Sequence, residues 1–158
     1  MLAWLKRLAV LLVFILVAIQ FFQPPRTNPS IDPKRELSAN RPVDAAVGAV
    51  LERSCNDCHS YRSVWPWYSH VAPVSWLVVS DVNRGRKALN FSEWAGYPPE
   101  VQQKQLSEIC KEVSEGEMPG LPYTLLHPRA KVSTTDVTAI CSWTRAAAQN
   151  ILATTGKE

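Results

Sequence analysis

The stretch CNDCHSYRSVWPWYSH, Cys55 to His70, carries two cysteines and a histidine at a spacing that admits three chemistries. It can attach a haem, hold a zinc ion or form a redox-active disulfide. Cys55 and Cys58 are three positions apart and His59 is four from Cys55, so on a helix all three project from one face of a single turn. From that face the thiols can form thioethers to the two vinyl groups of a haem while the imidazole binds iron. A structural zinc site needs four ligands, and His70, Cys110, His127 and Cys141 are single and scattered. A thioredoxin-like pair expects a strand leading into its helix, and strand alternation is scarce in this chain. A structural Cys55–Cys58 disulfide would leave His59 without a role. The residues favour haem.

A haem that carries electrons usually has both axial positions filled, and methionine opposite histidine raises its potential. Beyond the initiator the chain has a single methionine, Met118, in SEGEMPGLPY. It follows Gly116 and precedes Pro119, which stiffens the loop. His70 and His127 are the rivals for the sixth position. The expected site is therefore Cys55, Cys58, His59 and Met118, with His59 and Met118 on the iron and no catalytic residue.

Upstream, MLAWLKRLAVLLVFILVAIQFFQPP places Lys6 and Arg7 before fifteen residues, Leu8 to Phe22, in which Gln20 is the only polar side chain. The segment reads as an export signal kept as an anchor, because no small-residue cleavage site precedes Pro24. Basic residues on its N-terminal flank orient that end inward. Without Lys6 and Arg7 the exported part has fifteen basic and fourteen acidic residues, which gives no case for nucleic-acid binding.

QPPRTNPSIDPKRELSANRP follows, with four prolines in its first eleven residues, and reads as an extended, solvated tether. Beyond it the periodicity predicts four helices. Asp44 caps the first, through His59; the second spans APVSWLVVSDVNRGRKAL, weakened at Gly85. Pro98 and Pro99 start the third and Gly116 ends it. Ser133 and Asp136 form a capping box for the fourth. The expected divisions are residues 1–22 anchor, 23–42 tether, 43–153 haem domain and 154–158 tail. So few helices make a thin core, which a large apolar cofactor would complete.

CNDCHSYRSVWPWYSHVAPVSWLVVSDVNRGRKALNFSEW followed by GEMPGLPYTLLHPRAKVS resembles the bacterial haem-binding domain family, over about residues 43–143. The resemblance implies an all-α, cytochrome c-like helical domain wrapped around a covalent haem c on Cys55, Cys58 and His59, with Met118 as the distal ligand. One departure stands out: class I cytochromes c tend to carry glycine eight residues before the first haem cysteine, and here Val47 holds that position beside Gly48.

Around the site, Trp65, Trp67, Tyr68 and Trp76 are expected either on the porphyrin or in the core. Pro66 or Pro73 can offer a carbonyl to the second nitrogen of His59. Arg84, Arg86 and Lys87 are expected to pair with propionates, to dock an acidic partner or to be solvated, and Glu108, Glu112, Glu115 and Glu117 to serve solubility. Cys110 and Cys141 are either disulfide-bonded or buried free thiols. The expected function is one-electron transfer by a monohaem protein in the bacterial cytoplasmic membrane, its haem domain facing the periplasm, with other redox proteins as partners. It is not expected to be an enzyme. The alternative is a haem sensor or peroxidase-like enzyme with a displaceable sixth position.

Overall fold

An unbroken apolar run makes the first helix, α1 (Leu2–Ala18), which continues through a 3-10 turn at Ile19–Phe21. The computed structural model describes residues 1–155, and no strand occurs among them. Leu2–Phe21 spans 20 residues with a mean hydropathy of 2.4 and packs none of its length inside the protein. At about 1.5 Å per residue that suffices to cross a bilayer core by length and composition.

Residues 23–42 depart from the expectation of a solvated tether: they lie along the domain. The segment is poor in apolar side chains but rich in groups that bond to distant backbone. Arg26 donates to the Ser69 carbonyl at 3.0 Å and Asn28 to the Ser63 carbonyl at 2.8 Å. Glu36 receives the forked guanidinium of Arg62 at 2.8 and 3.0 Å. One turn of helix, α2 (Leu37–Asn40), buries Leu37 in the core.

The first helix after this segment starts at the expected cap. Asp44 accepts the Val47 N–H at 2.8 Å and caps α3 (Ala45–Ser54). The helix does not run unbroken to His59. Cys55 breaks it with φ −125° and ψ −40°, and a separate turn, α4 (Asn56–His59), follows. Next comes α5 (Val74–Ala88), unbroken through Gly85. Pro99 takes the first position of α6 (Pro99–Glu115), and Gly116, at φ 75°, ends it in the left-handed conformation that glycine adopts freely. After a short α7 (Leu121–Leu126), α8 (Thr134–Thr155) closes the chain. It runs two residues into the expected tail, whose residues 156–158 lie outside those described.

Helices α6 and α8 pack along each other, and α3 packs on α8. Val47, Leu106 and Ile140, from α3, α6 and α8, are fully buried where they meet. Each such side chain contributes about 1.5–3 kcal/mol. Val47 thus fills core space, while a Cβ on Gly48 would meet only Val43, at 3.8 Å, so this glycine marks no tight helix crossing. Cys110 and Cys141 join α6 to α8 as a disulfide. The capping box is present: Asp136 accepts from the Ser133 N–H at 2.9 Å and its hydroxyl at 2.8 Å, and pairs with Arg53 at 2.6 Å.

Replacing both Cys110 and Cys141 by alanine is expected to lower stability by about 3–4 kcal/mol, the value for a loop of this length, read from denaturant midpoints. The bonds from Ser133, then Arg53, hold the Asp136 carboxyl below its ordinary value. Its stabilisation is therefore complete above the unfolded-state pKa near ~3.9 and disappears as pH falls through the lower folded value. Asp136→Ala should cost about 1 kcal/mol at pH 7, and the gap between the two proteins should close in strong acid.

Candidate haem site

The carbonyl of Cys55 accepts the N–H groups of Cys58 at 3.2 Å and His59 at 2.9 Å, which coils the motif into its single turn. Helix α5 crosses directly behind it. A Cβ at Gly85 would lie 2.5 Å from the Cys58 carbonyl oxygen, so the turn sits where only bare backbone leaves room. Four residues on, the Leu89 carbonyl accepts from His59 Nδ1 at 3.0 Å. The partner is thus neither Pro66 nor Pro73: the end of α5, not the Trp-Pro loop, reaches the imidazole. A carbonyl only accepts, so Nδ1 carries the proton and Nε2 keeps its lone pair for a metal. Burial lowers the His59 pKa further from neutrality, against hydrogen bonds to Leu89 and Gly85 that raise it.

Both cysteines are free and half-buried. Desolvation pushes the Cys55 thiol up to about 12 and the Cys58 thiol up to about 11, where Asp57 and Asp81 add to the effect. Reactive redox cysteines have lowered pKa values, so these two are poor candidates for thiol–disulfide exchange. Nor do Cys55, Cys58 and His59 converge on a point: among the described residues, no three His, Cys, Asp or Glu side chains form an ion-sized cluster.

Instead the three line a cavity of about 580 Å³, together with Leu89, Phe91, Ile109, Val113, Met118 and Tyr123. That size lies within the ~300–1,000 Å³ of cofactor sites. The donor set fits a haem: two neutral thiols and an oriented imidazole on one wall, apolar side chains between, and a thioether at the margin. Met118 is 44% exposed. The N–H groups of Glu117 and Met118 both donate to the Glu112 carbonyl, at 3.0 and 3.2 Å, which folds the chain back over the end of α6.

His70 is exposed, and neither it nor His127 lines the cavity. His127 bonds Tyr68 through Nε2 at 2.5 Å and stacks on Tyr123, ring centroids 4.4 Å apart. Tyr123 donates to Asp57 at 2.8 Å, and burial followed by this bond raises its phenol pKa. Trp65, Trp67, Tyr68 and Trp76 are not on the cavity wall, whereas Lys104, Glu108 and Glu112 are. Arg86 is half-buried and donates to the Ser60 and Thr27 carbonyls, both at 2.8 Å, while Arg84 and Lys87 are exposed. Leu89, Phe91 and Tyr123 escape a reading from the sequence because nothing in their residue type marks them, although the LNFSEW and YTLLHP words contain all three; Gly85 stands out there only as a weak point in a helix.

Gly85→Ala is expected to lower stability by about 1–3 kcal/mol, the cost of overpacking, and to lower the fraction of chains carrying haem. Thermal unfolding and the ratio of haem to protein absorbance measure both; an unchanged protein would mean that the close approach does not constrain the motif.

The cytochrome c peroxidase Ccp of Escherichia coli (strain K12) is 27% identical over 113 residues, which cover 68% of this chain and 24% of that protein. The chain thus spans about a quarter of the length of the curated relative it matches. No solved structure matches it. The haem-binding domain family matches residues 14–146, from within α1 into α8, and the chain belongs to that family.

Proposed function

We propose that the protein is a membrane-anchored monohaem protein that holds haem c through Cys55 and Cys58, binds iron through His59 and Met118, and passes single electrons. The observation that carries this reading is that these four residues, spread over 64 positions, line one apolar cavity. Bound there, the haem would supply the one-electron Fe(III)/Fe(II) couple. The chain's own part is to fix and shelter it. Leu89 holds the imidazole in the tautomer that leaves Nε2 free. Gly116 and the Glu112 carbonyl shape the loop of Met118. Ile109, Val113 and Phe91 give the cavity apolar lining, and apolar surroundings would favour the less charged iron state. Other redox proteins at the membrane would be its partners.

Residues 1–22 would anchor the domain in a bacterial cytoplasmic membrane, with Lys6 and Arg7 keeping the N-terminus inside and the domain in the periplasm. The Cys110–Cys141 disulfide supports an oxidising compartment. A second reading, a peroxidase-like enzyme or sensor, is favoured by the 44% exposure of Met118 and by the name of the relative. In it Met118 gives up its place to a small ligand.

Protein made with a haem-attachment system is expected to give a low-spin c-type spectrum with the weak far-red sulfur-to-iron band. Met118→Ala should lose that band and become high-spin, and Cys55→Ala with Cys58→Ala should release haem into acidic organic solvent. A spectrum indifferent to Met118 would overturn the ligand assignment. Peroxide turnover by the unaltered protein, rising in Met118→Ala, would select the second reading.

A further inference from the structure

Trp65 to Ser80 is sixteen residues without an aspartate, glutamate, lysine or arginine. It nevertheless lies largely on the surface: Trp67 is 79% exposed and Leu77 66%, with Val71, Val74 and Trp76 also open. Val74 and Leu77 stand three apart on the first turn of α5 and so share a face. An uncharged surface of this kind asks for an occupant.

The occupant follows from where α1 ends. Gln20, in the last turn of the apolar span, exchanges two hydrogen bonds with Ala72, its amide donating to the carbonyl and its carbonyl accepting the N–H, both at 3.0 Å. Trp76 Nε1 donates to the Phe22 carbonyl at 2.7 Å. The span closes at Phe21. Any bilayer that takes up Leu2–Phe21 therefore has its polar–apolar boundary beside residues 71–77. Indole rings favour that boundary, where the ring meets acyl chains and the N–H finds an acceptor.

We propose that the surface of Trp67, Val71, Val74, Trp76 and Leu77 inserts into the lipid interface, so that the domain rests on the membrane rather than hanging from it. This rests on the reading of α1 as a membrane anchor. The depth is that of an interfacial helix, about 5–10 Å into the headgroup region. Gln20 and Trp76 set the orientation.

The test uses the full haem-loaded chain in phosphatidylcholine vesicles that carry a photoactivatable carbene precursor dissolved among the acyl chains, with labelled peptides mapped by mass spectrometry. Peptides covering 67–77 should be labelled at least ~3-fold more than those of α6, as interfacial burial requires. Trp67→Ser with Leu77→Gln, at exposed positions, should remove most of that label while haem content stays unchanged. Labelling of 2–21 without excess label at 67–77 overturns the proposal and leaves the anchor standing. So does a 67–77 surface shielded from aqueous reagents yet unlabelled from lipid, which would mark a protein contact. Vesicles that float without the chain would sink the anchor reading and the proposal together.

Discussion

The carbonyl of Cys58 lies where a side-chain carbon at position 85 would have to be, 2.5 Å away. This contact between a backbone turn and a glycine governs the site, because it sets the distance between the motif and α5. With that distance set, the last turn of α5 and the residue after it fall into place against the motif. Arg86 meets the Ser60 carbonyl at 2.8 Å and Leu89 meets His59 at 3.0 Å. The chain then enters the 3-10 turn Phe91–Gly96, where Ser92 accepts the Tyr61 N–H at 3.0 Å and Trp94 is fully buried. One helix thus serves as the template for the anchoring wall of the cavity. A larger residue at 85 would displace the turn and misdirect the imidazole together.

The part of the lining that α6 supplies is built differently. Ile109 and Val113 of α6 face the cavity, while Cys110 between them ties the same helix to α8. The covalent link holds α6 from its far side, and the apolar lining follows. Met118 comes after the helix has ended, on a loop kept by two backbone hydrogen bonds to one carbonyl. Local opening costs least where buried contacts are few. A firm wall on the His59 side and a lighter one on the Met118 side leave both proposed readings open to the same scaffold: a closed site carries electrons, and one that opens at Met118 admits a ligand.

The apolar helix and the domain are joined by more than a linker. Gln20 bonds to Ala72, Arg26 to Ser69, Asn28 to Ser63, and Arg86 to Thr27. A proline-rich segment in solution would act as a semi-rigid spacer; here its polar groups are spent on the domain surface. The height of the cavity above the end of the apolar span is therefore a property of the fold, which matters for any protein in which partners meet the domain at a membrane.

What the sequence determined by itself is local. Asp44, the Ser133–Asp136 box, Pro99 and Gly116 mark helix ends through spacings of one to four residues, and the CxxCH turn obeys the same geometry. Met118 stood out because the chain offers no other methionine past the first. Only the tertiary structure decided the rest. It paired Cys110 with Cys141, gave the Leu89 carbonyl to His59, turned Gly85 from an apparent weak point in a helix into its closest contact, and laid residues 23–42 on the domain. The physical reason is common to the last three. A backbone carbonyl or a missing side chain carries no signature of its partner, and polar bonds to residues 35 to 59 positions away leave no periodicity, so they become legible only once the helices have packed.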